Sequence, residues 1–492
     1  MKVEKIILIY PDTHNTGTNM ILPLSLIYIA TPLKDDFKIL IIDQRIDHNW
    51  RTILKNELSK DKIICAGISS MTGPQILGGI EAASIIRKVS PDIPVVWGGV
   101  HPSLLPEETI KTPLVDIIVI GDGEDTFREL VGALREGSDK KHIRGIIYKD
   151  GNTVVRTPDR GQFQISKVMN LAYDLVDVNR YKSKPLWTER ESLPMLTSRG
   201  CPFRCSYCYN IQFSNRRWTS LTPEETVSSI IKLTNRYDIS GIFLLDDNFF
   251  VNLNRVREIC ELLIREKLDI GIYNANCRVD TLTKIDDDFM RLLSKAGFHQ
   301  IFVGVESGSD TVLKKIKKDI TIKQVLLVNE KLKKAGIRPF YSFMAGFPFE
   351  TLEDVKQTLS LMQHLLKTNP DAIVYRLQLF TPFPGTELFS RSAELGMKFP
   401  ESLEEWAGYN YDEVNFDKFD GRHRKFLKDF HFYSAFLDRK VHMDRTLFIK
   451  TISYIYSRIL NFRLDHEAYS HTYELYPFEI VHKIRNSFVR KC

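Results

Sequence analysis

The chain has 492 residues, too many for one ordinary hydrophobic core, so two or three domains are expected. Its 68 basic and 62 acidic residues leave a net charge of +6, too small at this length to point to a nucleic-acid partner. The seven cysteines are an odd number with no disulfide spacing, and neither a signal peptide nor a membrane-length apolar run is read, which fits a reducing cytoplasm.

From residue 1 to about 140, short β-branched runs alternate with helical periodicity. Ile6–Tyr10, Ile39–Ile42, Ile63–Ile68, Val95–Trp97 and Ile117–Ile120 read as strands. Leu24–Leu33, Trp50–Leu58 and Gly79–Val89 read as helices. The opening run reads as a buried strand rather than a targeting segment. This alternation predicts βαβ units and a doubly wound parallel sheet, with ligands outside the carboxyl ends of its strands. Those ends are Asp12–Gly17, Ser69–Gly73, Gly98–His101 and Gly121–Glu124. Residues 141–193 read as a connector containing a hairpin at Lys149-Asp-Gly-Asn152.

Residues 194–399 resume the alternation. Met195–Thr197, Ile242–Leu245, Ile270–Asn274, Gln300–Val303, Arg338–Phe343 and Val374–Phe380 are predicted strands. Amphipathic helices are predicted between them, among them Pro223–Tyr237, Leu253–Glu266, Ile285–Ala296, Thr321–Ala335 and Leu352–Leu366. Six such units make a (β/α)6 partial barrel whose site lies at the carboxyl ends of its strands. Residues 400–492 are aromatic and basic and read as helices packed against the barrel, for example Phe430–Tyr433, Ile452–Tyr456 and Phe478–Phe488.

Cys201, Cys205 and Cys208 stand in Gly-Cys-Pro-Phe-Arg-Cys-Ser-Tyr-Cys-Tyr-Asn, on a loop directly after the first barrel strand. Three thiolates can hold three irons of a cubane cluster and leave the fourth iron open to a ligand, the mark of a catalytic rather than a closed site. A structural zinc would want a second Cys or His pair of similar spacing, and none follows. Cys65, Cys260 and Cys277 read as small buried apolar residues.

The barrel region, from about Met195 to Phe389, resembles the radical S-adenosylmethionine (SAM) enzymes. Their C-x-x-x-C-x-aromatic-C motif stands here as Cys201, Cys205, Tyr207 and Cys208. The resemblance implies a [4Fe–4S] cluster whose open iron binds SAM, and reductive cleavage of SAM to a 5′-deoxyadenosyl radical. It implies Tyr207 beside the adenine and Asp246 and Asp247, in Asp246-Asp-Asn-Phe249, near the SAM amino group. It places Arg278 of Asn276-Cys-Arg-Val-Asp280 at the SAM carboxylate and Glu306 of Gly304-Val-Glu-Ser-Gly308 near the ribose or methionine. Gly346 of Gly346-Phe-Pro-Phe-Glu350 passes close to adenine, and Thr381-Pro-Phe-Pro-Gly-Thr386 closes the sixth unit.

The amino-terminal region resembles the Rossmann-like cobalamin-binding domain that precedes many such barrels, through Trp97-Gly-Gly-Val-His-Pro102 and Gly121-Asp-Gly-Glu124. Ser69, Gly98, Gly99, Gly121 and Glu124 are the implied cobalamin contacts. Asp12-Thr-His-Asn-Thr-Gly17 fits D-x-H-x-x-G, which implies His14 as a cobalt ligand. His101 is expected to be a solvated loop histidine.

The whole then implies cobalamin-dependent methylation of an unactivated carbon of a small-molecule or lipid-like substrate, with flavodoxin or ferredoxin as electron donor. The rival enzyme reading is a non-methylating cyclisation, rearrangement or carbon–carbon coupling, with cobalamin retained or lost. A rival of another class is a non-catalytic metal-binding module. The basic-aromatic run Arg445–Arg463 is expected as a barrel cap, with a substrate lid or a peripheral membrane contact as the alternatives.

Overall fold

Short runs of Ile, Val and Leu that are buried on both faces become the central strands of parallel sheets. The computed structural model describes residues 4–13, 21–60, 62–184, 188, 190–409, 419–442, 447–470, 472 and 474, with the backbone only at 442 and 448. Its first sheet contains β1 (Glu4–Tyr10), β2 (Lys38–Asp43), β3 (Lys62–Ser69), β4 (Val95–Gly98), β5 (Ile117–Val119), β6 (Ile146–Asp150) and β7 (Thr153–Arg156). Their spatial order is β2-β1-β3-β4-β5-β6-β7, the first five parallel and the last two antiparallel. The order reverses between β1 and β3, a topological switch point.

Alternate residues of β1 serve the two faces of this sheet. Ile6 and Leu8 join the core that continues into the barrel; Ile7 and Ile9 join a second core on the far face. The hairpin foreseen within the connector is β6–β7, and it extends the first sheet. Ile146, Ile147 and Tyr148 are apolar enough to be buried beside β5, and Gly151 takes the left-handed turn position at φ 56°.

The second half supplies β8 (Ser192–Met195), β9 (Ser198–Gly200), β10 (Trp218–Ser220), β11 (Gly241–Leu244), β12 (Gly271–Tyr273), β13 (Ala275–Arg278), β14 (Gln300–Glu306), β15 (Arg338–Ala345) and β16 (Ile373–Leu379). β8, β11 and β12 form one parallel group, and β13 to β16 form another. The third barrel strand is broken between β12 and β13 at Asn274, whose φ is 57° and whose side-chain amide donates to the Leu244 carbonyl at 3.0 Å. The six βα units thus curve into an open partial barrel. β9 pairs antiparallel with β10. Thr222, Thr321 and Thr351 start the helices Pro223–Tyr237, Ile322–Ala335 and Leu352–Thr368 with capping boxes, each worth about 1 kcal/mol.

The carboxyl-terminal region divides its contacts. Helix Gly421–Ser434 lies along β16, and side chains of the helix and of Asp438 just beyond it satisfy that edge. Leu377 N–H donates to Ser434 Oγ at 2.8 Å, Val374 N–H donates to Asp438 Oδ2 at 3.2 Å, and His431 Nδ1 lies 2.7 Å from the Leu377 carbonyl. Helix Leu447–Asp465 packs on helix Leu352–Thr368, with Gln363 Nε2 donating to Asn461 Oδ1 at 3.0 Å. Helix Leu403–Ala407 instead crosses to the first domain and buries Leu403 and Trp406 in its far core. The segment Phe478–Phe488 lies outside the described residues. Among the described residues no helix is long and apolar enough to cross a membrane.

Candidate active site between the two sheets

The cysteine loop is held by the barrel's backbone. Ser206 N–H donates to the Ile316 carbonyl at 3.0 Å, and the Ser206 carbonyl accepts Leu388 N–H at 3.1 Å. Within the loop, Cys208 N–H donates to the Cys205 carbonyl at 3.0 Å. Arg278 Nη1 donates to Cys205 Sγ at 3.2 Å. Among the described residues no three His, Cys, Asp or Glu side chains converge as a single metal ion would need. Three cysteines serving three corners of a cubane need no such convergence, so the geometry fits a cluster better than a lone zinc. Burial pushes the Cys208 thiol up to about 12 and the Cys201 thiol upward, so these sulfurs carry charge only with cations beside them. The cluster's own irons would supply them.

Asp246 and Asp247 grip the strand that leads into the loop. Asp246 is fully buried and accepts from Thr197 N–H at 2.7 Å, Thr197 Oγ1 at 2.6 Å and Ser198 Oγ at 2.5 Å. Asp247 accepts from Gly200 N–H at 2.7 Å. Arg255 adds bonds to the Thr197 carbonyl and hydroxyl at 3.1 and 3.0 Å. Both aspartates thus also hold the segment 197–200, a role the sequence does not announce.

Tyr207 of the loop forms a polar group with the buried Glu306 and Lys318. Tyr207 Oη donates to Glu306 Oε1 at 3.0 Å, and Lys318 Nζ lies 2.7 Å from the same oxygen. Glu306 sits at φ 73°, a left-handed conformation costing a non-glycine residue about 1–2 kcal/mol. Arg278, expected at a SAM carboxylate, is fixed by Asp280 Oδ1 at 2.8 Å, by the Lys318 carbonyl and by Cys205. Gly346 begins a turn whose amides at 346 and 347 donate to Glu350 Oε2, while Phe347 lies against Tyr207 and Phe380. Lys318 and Glu350 were not singled out in the sequence. Lys318 ends the basic run Lys314-Lys-Ile-Lys-Lys318, which has no motif to mark one lysine from the next, and Glu350 carried no signal beyond its place in Gly346-Phe-Pro-Phe-Glu350.

A cavity of about 670 Å³ lies between the two sheets. Ser69, Gly98, Gly99, Gly121 and Glu124 line one side of it, and Arg199, Gly200, Tyr209 and Asp247 line the other. A Cβ on Gly121 would meet nothing within 4 Å among the described residues, so this wall leaves room for a ligand. Ser70 Oγ and Glu124 Oε2, both on residues lining the cavity, are buried and have no hydrogen-bond partner among the described residues. Small residues on a flat wall with stray polar atoms suit a broad ring carrying amide arms, as a corrin does. His14 lies outside the described residues. His101 differs from expectation: it is fully buried under Trp406, with ring centroids 5.8 Å apart, and Nδ1 is 3.1 Å from Thr72 Oγ1. The crossing of helix Leu403–Ala407, invisible in the local sequence, is what buries it.

Residues 195–362 match the Radical SAM superfamily, and residues 15–131 match the B12 binding domain. The chain is 31% identical over 398 residues to an uncharacterized methyltransferase of Pyrococcus horikoshii, covering 79% of this chain and 83% of that protein. It is 27% identical over 405 residues to the anaerobic magnesium-protoporphyrin IX monomethyl ester cyclase of Rubrivivax gelatinosus, covering 80% and 70% of the two chains. The cobalamin-dependent S-adenosylmethionine radical enzyme OxsB, with aqua-cobalamin and SAM bound, superposes with a TM-score of 0.75 over 99% of this chain and 75% of its own. At 20% identity that likeness concerns the fold. The chain belongs to the cobalamin-binding radical SAM enzymes, whose cofactors are a [4Fe–4S] cluster, SAM and cobalamin.

Proposed function

We propose that this enzyme methylates an unactivated carbon of a small-molecule substrate, with cobalamin in the interdomain cavity and SAM at the barrel mouth beside the cysteine loop. The observation that carries the reading is that one cavity is walled by the carboxyl ends of the first sheet and by residues next to the cluster cysteines. When bound, the cluster and SAM supply a carbon-centred radical and the corrin supplies a methyl group. The chain's own part is placement and exclusion of water. Ser69, Gly98, Gly99 and Gly121 give the ring a flat seat, and Ser70 and Glu124 offer polar atoms to its amide arms. Tyr207, Glu306 and Lys318 orient the SAM end, and Asp246 and Asp247 hold β9 so that the cysteine loop keeps its place.

The named methyltransferase relative supports this reading. The cyclase relative supports the rival, a radical cyclisation on the same scaffold. The test uses anaerobically reconstituted protein with hydroxocobalamin, a strong reductant, methyl-labelled SAM and cell extract. Methylation requires 5′-deoxyadenosine together with label in a new extract component. 5′-Deoxyadenosine formed without any label transfer, on protein with verified cluster and cobalamin, would refute methylation in favour of the cyclase-like chemistry.

A low-potential electron donor of the flavodoxin or ferredoxin type and a cytoplasmic setting belong to the same proposal, in keeping with six described cysteines that are all free thiols. A lipid-like substrate or a peripheral membrane contact is supported by the exposed Leu447, Tyr454, Ile455 and Phe462, interleaved with Lys450 and Arg458 on one helix.

A further inference from the structure

Arg199 stands two residues before Cys201, yet its side chain leaves the barrel and enters the first domain. Nη1 lies 2.6 Å from Glu124 Oε1 and 3.3 Å from Asp122 Oδ1. The guanidinium covers the Tyr28 ring at 4.3 Å from its centroid. The side chains of Arg199 and Glu124 are only 16% and 3% exposed, so water screens this pair little. The residues flanking Arg199, Ser198 and Gly200 on the same strand and Thr197 just before it, bond Asp246 and Asp247 of the barrel itself. The strand is therefore tied to the barrel by its flanking residues and to the first domain by Arg199. Asp122 and Glu124 belong to the Gly121–Glu124 turn, which lines the interdomain cavity, as Arg199 does. A shift of the turn is a shift of the cavity wall and, through Arg199, a pull on the residues leading into the cluster loop.

We propose that Arg199 is a positioning residue that couples the two cofactor sites, drawing the Asp122–Glu124 turn onto the cluster strand so that occupancy of the cavity and order of the cysteine loop reinforce one another. The inference rests on cobalamin occupying the interdomain cavity. Because coupling is reciprocal, it is readable from either end.

The experiment uses the full-length, anaerobically reconstituted enzyme and the variants Arg199→Gln, Arg199→Lys and Glu124→Gln. Hydroxocobalamin is titrated by visible spectroscopy. Loss of cluster iron to a chelator is timed with and without hydroxocobalamin, and amide exchange of 121–127 and 197–205 is followed in cobalamin-free protein. Arg199→Gln should weaken hydroxocobalamin binding about 10- to 100-fold, within the usual span of site-to-site coupling. It should also abolish the slowing of iron loss that hydroxocobalamin gives the wild type, and speed exchange in both segments. Arg199→Lys should restore a large part of all three effects, which simple loss of packing would not allow. Glu124→Gln, which keeps the volume and the arginine, should reproduce them in weaker form and guards against a folding defect in Arg199→Gln. Unchanged exchange and unchanged chelator protection in Arg199→Gln and Glu124→Gln would overturn the coupling. Failure of the wild type to bind hydroxocobalamin would instead refute the cavity assignment, while the exchange data in cobalamin-free protein still decide whether Arg199 ties the two segments.

Discussion

Gly99→Ala offers a direct test of how the cobalamin-side wall is built. Gly99 has φ 97° and ψ −167°, a region essentially reserved for glycine, and another residue held there carries about 1–3 kcal/mol of strain. A Cβ at this position would stand 2.7 Å from the Ser70 carbonyl oxygen and 3.0 Å from the Ser70 nitrogen. Neither atom is free to move alone. The carbonyl accepts His101 N–H at 3.1 Å, and the nitrogen donates to the Gly98 carbonyl at 2.9 Å. The variant's cheapest escape is to part the Ser69–Ser70 turn from Gly98–Gly99, two segments that both line the cavity. Ligand binding must then reverse that opening, so affinity falls by as much as the strain, about 5- to 150-fold for 1–3 kcal/mol. The assay is hydroxocobalamin titration of reconstituted protein at fixed iron content. Gly132→Ala is the control, because its Cβ in helix Glu124–Glu136 meets nothing within 4 Å among the described residues and its affinity should match the wild type. Equal affinity in Gly99→Ala and the wild type would refute the argument.

Removing Lys318 leaves Glu306 buried without its cation, so Lys318→Met should lower stability by about 3–5 kcal/mol, and adding Glu306→Gln should restore most of that loss. Thermal midpoints of the cofactor-free variants measure it, and a double variant less stable than Lys318→Met contradicts it. Burial raises the Glu350 carboxyl from 4.5 to about 8, against the bonds from the Gly346 and Phe347 amides. The folded chain therefore keeps a proton that the unfolded chain loses. The stability this contributes is complete below about pH 4.5 and is lost as pH rises through about 8. The thermal midpoint of the wild type should fall relative to Glu350→Gln across that window, and parallel curves would exclude the buried carboxyl as the cause. Arg278→Gln deletes the N–H···S bond to Cys205, which favours the more negative reduced cluster. An EPR-monitored redox titration should find a lower midpoint potential, and an unchanged or higher one would rule out that role for Arg278.

The parts of this molecule that follow from local chemistry were legible in its sequence. Four of the five predicted strands of the first sheet lie within observed ones and Ile117–Ile120 overruns β5 by one residue, because β-branched runs buried on both faces settle as central strands. The helices Trp50–Leu58 and Pro223–Tyr237 have the boundaries that periodicity assigns, the second because Thr222 caps one end and Asp238 turns left-handed at the other. What stayed hidden depends on contacts between distant segments. His101 reads as a loop histidine until helix Leu403–Ala407 arrives some 300 residues later in the chain to cover it. Asp246 and Asp247 read as SAM contacts, and their bonds to Thr197, Ser198 and Gly200 were not legible, because an acidic pair at a strand end looks the same whether or not it also grips a neighbouring strand. Arg199 carried no signal of its own, since its partners Asp122 and Glu124 belong to another domain.

The two sheets also meet in a way that neither one's rules require. A doubly wound sheet places its ligand outside the carboxyl ends of its strands, and so does a βα barrel. Here the two carboxyl faces open onto a single cavity, with Ser69, Gly98 and Gly121 from one and Gly200, Leu245 and Asp247 from the other. Two separate sites would each keep a solvated mouth. One shared site has no such mouth between its halves, and its geometry is only as firm as the joint between the domains. The joint at this point is a largely buried arginine between two carboxylates, whose direction is fixed by hydrogen bonds in a way that an apolar contact is not.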